Sequence, residues 1–172
     1  MKRVCARILL VSLLAITGVG EAGAQCILAN PSFELGGSDG NVFGGWYQFG
    51  SVGYSANATH GAIAAKLTGP NTGDWDVSGY WQQFDCDAGE QFSASVKGWH
   101  TSTNPLTGGS QAIVNIEWRN PSGSLIDYES HTVADASTPV DEIVDFYVES
   151  QPAPSGTATT HFLLGVLQDP AD

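Results

Sequence analysis

The chain has 172 residues, 42% hydrophobic and 14% charged, with six Lys+Arg against 18 Asp+Glu and a formal net charge of −12. So acidic a surface repels phosphate backbones and anionic bilayers, which argues against nucleic-acid and membrane partners. It suits a neutral ligand, bound calcium or plain solubility.

The first element in chain order is a secretory signal peptide over residues 1–24. "MKR" with Arg7 is a positive n-region, "ILLVSLLAITGVG" an apolar h-region, and Ala22 to Ala24 a small-residue cleavage site. The apolar run is short for a membrane span, and no stop-transfer cluster follows it. A lipoprotein signal is disfavoured because Gln25 stands before Cys26, where a small residue is wanted. Cleavage removes three basic residues and one acidic residue, so the net charge of the 25–172 domain falls to −14. One ordinary domain with room for a core remains, and its expected location is extracellular, periplasmic or cell-surface. Cys26 and Cys86 are its two cysteines, and export makes a disulfide between them the natural expectation. Closing that loop adds about 4 kcal/mol in the chain-entropy picture.

Beyond the leader no amphipathic helix is legible. Short β-branched and aromatic runs follow instead, separated by Gly, Pro, Asn, Ser and Asp. In order they are "CILANPSFE", "GWYQFGSVGYS", "AIAAKLTG", "YWQQFDC", "QFSASVKGWH", "QAIVNIEWRN", "LIDYESHTV", "EIVDFYVES" and "HFLLGVLQ". "NPSG" (Asn120 to Gly123) is a hairpin turn between the sixth and seventh runs, and "QPAPSGTAT" is a connection rather than a domain boundary. Eight or nine short strands of this kind predict an all-β, antiparallel β-sandwich or jelly roll.

Period-two alternation assigns faces. Ala112, Val114, Ile116 and Trp118 fall on the core side, leaving Ile113, Asn115, Glu117 and Arg119 opposite. Val144, Phe146 and Val148 point inward; Asp145, Tyr147 and Glu149 point outward. Phe84 and Cys86 set the inner parity of their run, so Gln82 faces in while Trp81, Gln83 and Asp85 face out. "HFLLGVLQ" is apolar on both parities and predicts a central strand. In "FSASVKGWH", Phe92, Ala94, Val96 and Gly98 share one face, and Trp99 sits on the other with Lys97.

"NPSFE", "GGW", "THGAIAAKLTG" and "WQQFDCDAGEQFSASVKGW", in this order, resemble the galactose-binding-like jelly-roll fold. They are similar in particular to secreted carbohydrate-binding modules of the xylan- and glucan-binding kind. "QAIVNIEWRNPSGSLI" resembles that fold's hairpin and "PAPSGTATTHFLLGVLQ" its penultimate strand, so the resemblance spans residues 27–168. It implies a ligand cleft on one sheet or at the loop ends, and a structural calcium held partly by the glutamate of "NPSFE", here Glu34. The family's closing strand, with paired aspartates, is not found after "LQDPAD"; the expected sandwich lacks it, or the chain is a fragment. Such domains also serve as adhesive or structural modules.

The expected function is therefore a secreted, non-catalytic module for a neutral polysaccharide of the β-glucan or xylan type, acting as a monomer or within a larger assembly. The expected ligand-binding residues are Trp81, Gln83, Trp99, Asn115, Glu117 and Arg119. Indole planes offer platforms for the C–H faces of sugar rings, and the polar groups reach the hydroxyls. A structural or adhesive sandwich without a sugar site, and a small jelly-roll hydrolase or lyase, are the alternatives. Trp99 packed beneath the following loop is the plainer reading of that residue.

Other motifs carry less. Asp74, Asp76, Ser78, Gly79 and Asp85 fall at EF-hand-like offsets, but Asp stands in for the bidentate Glu and no helix flanks them; a loop-to-strand junction explains them. "GGSDG" matches a nucleophile elbow without its helix. His60, His100, His131 and His161 lack metal-site spacing, and the acidic pairs Asp85/Asp87 and Asp141/Glu142 are unsurprising in so acidic a chain. Asn57-Ala58-Thr59 is a glycosylation sequon, relevant only in a host that glycosylates.

Overall fold

The computed structural model describes residues 27–171 and, as backbone only, the strand β1 (Lys2–Cys5). The rest of the leader read at 1–24, with Cys26, lies outside the described residues. Cys86 is buried in the core.

Nine further strands make up the domain: β2 (Tyr47–Phe49), β3 (Ser51–Ser55), β4 (Ala64–Thr68), β5 (Asp76–Asp85), β6 (Phe92–Gly98), β7 (Gln111–Arg119), β8 (Leu125–Asp135), β9 (Val144–Glu149) and β10 (Thr159–Gln168). Among the described residues there is no α-helix. A five-stranded antiparallel sheet, in the order β2-β5-β10-β7-β8, faces the antiparallel pair β6-β9; β3 and β4 form a separate hairpin. β1 runs parallel along the free edge of β6. The predicted central strand is central: β10 lies between β5 and β7 over nearly its whole length.

The core lies between the sheets, and alternation put the right residues into it. Val114, Ile116 and Trp118 from β7, Tyr80 from β5, Phe162 and Leu164 from β10, Phe92, Ala94 and Val96 from β6, and Val148 from β9 are all buried. Two inward polar groups on β5 are matched. Gln82 accepts from the Ala29 amide at 2.9 Å and donates to the Ala29 carbonyl at 2.6 Å, as a pairing strand would. The Tyr80 hydroxyl donates to the Gly53 carbonyl at 2.8 Å, and burial pushes its pKa up to about 12.

Two expectations need correction. "CILANPSFE" is not a strand: from Ile27 onward it is bends and turns. Asn30 and Phe33 have φ of 46° and 64°, and the Asn30 side chain takes the Leu35 amide and donates to the Leu35 and Gly44 carbonyls. Leu28 and Phe33 still reach the core, so burial without an extended backbone produced the apolar pattern. "GWYQFGSVGYS" is two strands rather than one. Gly50, at φ 69°, sits where any Cβ would strike Ser78, and the chain turns there from the five-stranded sheet into the β3–β4 hairpin.

Candidate binding face

The side of the five-stranded sheet turned away from the core brings together five of the six expected site residues. Strand register sets them in rows. Tyr47, Trp81, Leu163, Asn115 and Ser130 form one row across all five strands; Gln83, His161, Glu117 and Tyr128 form the next; Asp85, Thr159 and Arg119 the third. Neighbouring strands lie about 4.8 Å apart, so Tyr47 and Asn115 are separated by roughly 14 Å.

Rings dominate the β2–β5–β10 side. Tyr47 stacks on Trp81 with centroids 4.6 Å apart and planes at 25°, and Trp81 stacks on His161 at 4.4 Å and 21°. Trp81 is thus held from both sides with its face fixed relative to the sheet. Alongside, the paired glycines Gly79 and Gly165 leave room that Phe49, Val77, Leu163 and Ile113 fill. That is why Ile113, expected to be on the polar side, is buried.

The polar half is built on Glu117. Its Oε2 accepts from Arg119 Nη2 at 2.6 Å and Nε at 3.2 Å, while Arg119 Nη1 donates to the Gly123 carbonyl at 2.9 Å. The guanidinium is therefore tied to the β7–β8 turn that "NPSG" forms. His161 Nε2 lies 3.0 Å from Gln83 Oε1, and its Nδ1 faces Glu117 Oε2 at 3.7 Å. With Gln83 as acceptor, the neutral imidazole carries its proton on Nε2. Asn115 Oδ1 is buried within the face and has no protein partner.

Burial, and then the nearby Arg119 charge, lower the His161 pKa; Glu117 opposes them. The unfolded chain titrates near 6.5, so below that pH it takes up the proton more readily than the native state. Stability is fully present above the unfolded value and is lost as pH falls towards the lowered native value. Thermal melting between pH 7.5 and pH 5 should therefore show a steeper loss for the native chain than for His161→Gln. Equal slopes would remove this assignment.

Tyr47, His161 and Tyr128 were not foreseen as site residues. His161 was not legible, because its strand is apolar on both parities; the structure turns it outward, opposite the buried Phe162 and Leu164. Tyr47 and Tyr128 reach the face only through long-range register. Trp99 is elsewhere. It follows β6 on the parity of Ser95 and Lys97, away from the core on the opposite sheet, and is half-buried.

Glu34, the residue that the resemblance implies as a calcium ligand, is engaged by backbone amides. Glu34 accepts the Ala62 amide at 3.0 Å and the Ile63 amide at 3.4 Å, which ties the N-terminal segment to the loop before β4. Among the described residues no group of three His, Cys, Asp or Glu side chains converges. The EF-hand-like offsets are also accounted for as the expected junction. Asp76 and Asp85 are the two ends of β5, roughly 30 Å apart, and Ser78 is buried as the acceptor of the Ser51 amide.

No family model matches the chain, and no curated protein does. Among solved structures, the chain is similar to the CBM22-1 xylan-binding domain of Paenibacillus barcinonensis Xyn10C, with a TM-score of 0.50 and 17% identity. That match covers 80% of this chain and 86% of the other. The fold is a jelly-roll β-sandwich. The enzymatically active domain of bacteriophage CBA120 tailspike protein 4 also matches, at a TM-score of 0.45 and 14% identity over 72% of this chain; the match spans 18% of the tailspike domain.

Proposed function

We propose that the domain is a secreted, non-catalytic module that binds a neutral polysaccharide of the xylan or β-glucan type on the outer face of its five-stranded sheet. The observation that carries this reading is the ring row Tyr47–Trp81–His161 set beside the Gln83, Asn115, Glu117 and Arg119 polar groups. Both faces of the Trp81 indole are taken by its neighbours. The apolar surface offered to a sugar ring is therefore the exposed edge of this stack and the 55%-exposed Tyr47, held rigid by Trp81 at little entropic cost. Gln83, Glu117 and Arg119 supply donors and acceptors beside it. Arg119 compensates Glu117, so the face has no unpaired cation to recruit an anionic polymer. The xylan-binding function in the name of the structural neighbour is in keeping with this reading.

Affinity electrophoresis over a panel of soluble xylans, β-glucans and charged polysaccharides tests it. Retardation by a neutral polymer is the expected result. Unchanged migration across the panel would favour a structural or adhesive sandwich, and release of reducing sugar would establish the hydrolase alternative.

A further inference from the structure

We propose that a second saccharide site, built on Trp99, lies at the end of the β6–β9 sheet, which makes the domain bivalent for glycan. A depression of about 200 Å³ there is lined by Asn57, Ala58, Thr59, Trp99, Asp141 and Ile143. The lining comes from the β3–β4 loop, the end of β6 and the lead into β9, with none from the 101–109 segment that was the plainer cover for Trp99.

The loops around the indole are fixed by hydrogen bonds. His100 is buried; its Nδ1 accepts the Leu106 amide at 2.8 Å, so the ring proton is on Nε2, which donates to the Thr138 carbonyl at 2.8 Å. The Asp141 amide donates to the His100 carbonyl at 2.8 Å, and the Asp141 carboxylate accepts the Ser102 amide at 3.1 Å. Asp141 holds φ at 60°, a left-handed conformation that these bonds maintain. Trp99 is therefore framed by a pre-ordered rim, which reduces the entropic cost of binding.

The chemistry selects the occupant. The volume suits one sugar ring rather than a polymer segment, being below the usual range for ligand pockets. Trp99 and the 54%-exposed Ile143 give an apolar wall, and the Asn57 amide, Thr59 hydroxyl and Asp141 carboxylate give hydroxyl partners. The bonds from Ser102 hold the Asp141 carboxyl below its usual range, so the site is anionic and refuses acidic sugars. The ligand is a neutral pyranose, at a chain end or as a single exposed unit. Trp81 is on the outer face of the other sheet, with the core between, so one glycan ring cannot span both sites.

Bacterially produced full-length chain, free of any glycan on the Asn57 sequon, is titrated with xylotriose and with cellotriose. The indole N–H signals are followed by NMR and the number bound by calorimetry. Both Trp81 and Trp99 signals should move, with about two equivalents bound. Ile143→Arg, at an exposed position that does not threaten the fold, should fill the depression, abolish the Trp99 response, retain that of Trp81 and reduce binding to one equivalent. A Trp99 signal unmoved while Trp81 saturates, or unaffected by Ile143→Arg, overturns the second site alone. Movement of Trp99 without Trp81 supports this site and overturns the sheet-face reading; movement of neither overturns both.

Discussion

Trp81→Ala will abolish retardation by the polysaccharide that the wild-type domain binds, while the protein stays folded. The side chain is on the outer face and is only partly covered, so its loss leaves no cavity between the sheets. What it does remove is the middle of the Tyr47–Trp81–His161 stack. Each ring pair contributes about 0.5–1.5 kcal/mol, so the expected stability cost is roughly 1–3 kcal/mol, to be read by thermal melting. The binding effect is larger because hot-spot energy concentrates in rigid aromatic anchors. Trp81→Phe should retain part of the binding, since it keeps a plane between the neighbouring rings. Wild-type retardation of Trp81→Ala would rule out this face as the glycan site.

Much of that face was legible in the sequence because its residues lie on strands with one buried side. On β7 the buried Val114, Ile116 and Trp118 force Asn115, Glu117 and Arg119 outward; on β5 the buried Tyr80 and Gln82 do the same for Trp81 and Gln83. What alternation lacks is distance. That Trp81 lies across from Tyr47 and diagonal to His161 follows from pairing between segments more than thirty residues apart in sequence. Trp99 shows the same limit. Its outward parity was correct, but nothing local says which sheet it belongs to, so it was grouped with residues on the other side of the core. The segment around Asn30 failed for a different reason. Asn-Pro-Ser supplies the side-chain bonds and left-handed backbone of a turn, whereas Leu28 and Phe33 supply the apolar spacing of a strand.

Trp118→Ala should cost about 3–5 kcal/mol, the range for deleting a large aromatic from a packed core, and can unfold the domain outright. Trp118 is 2% exposed and belongs, near the end of β7, to the same core cluster as Ile116, Phe162 and Val114. A Trp118→Phe variant separates packing from polarity. Neither Trp118 Nε1 nor Oγ1 of its cross-strand neighbour Thr160 has a protein hydrogen-bond partner. Phe therefore removes volume without breaking a bond within the protein, and Thr160→Val removes the other unmatched group. Both should fall well short of the Ala variant in destabilisation, by thermal or denaturant melting. The comparison with Trp81→Ala is the sharper test of the whole arrangement. If Trp118→Ala melts no lower than Trp81→Ala, Trp118 does not fill the space between the sheets. The parity of β7 would then be inverted, and Asn115, Glu117 and Arg119 would lose their place beside the ring row.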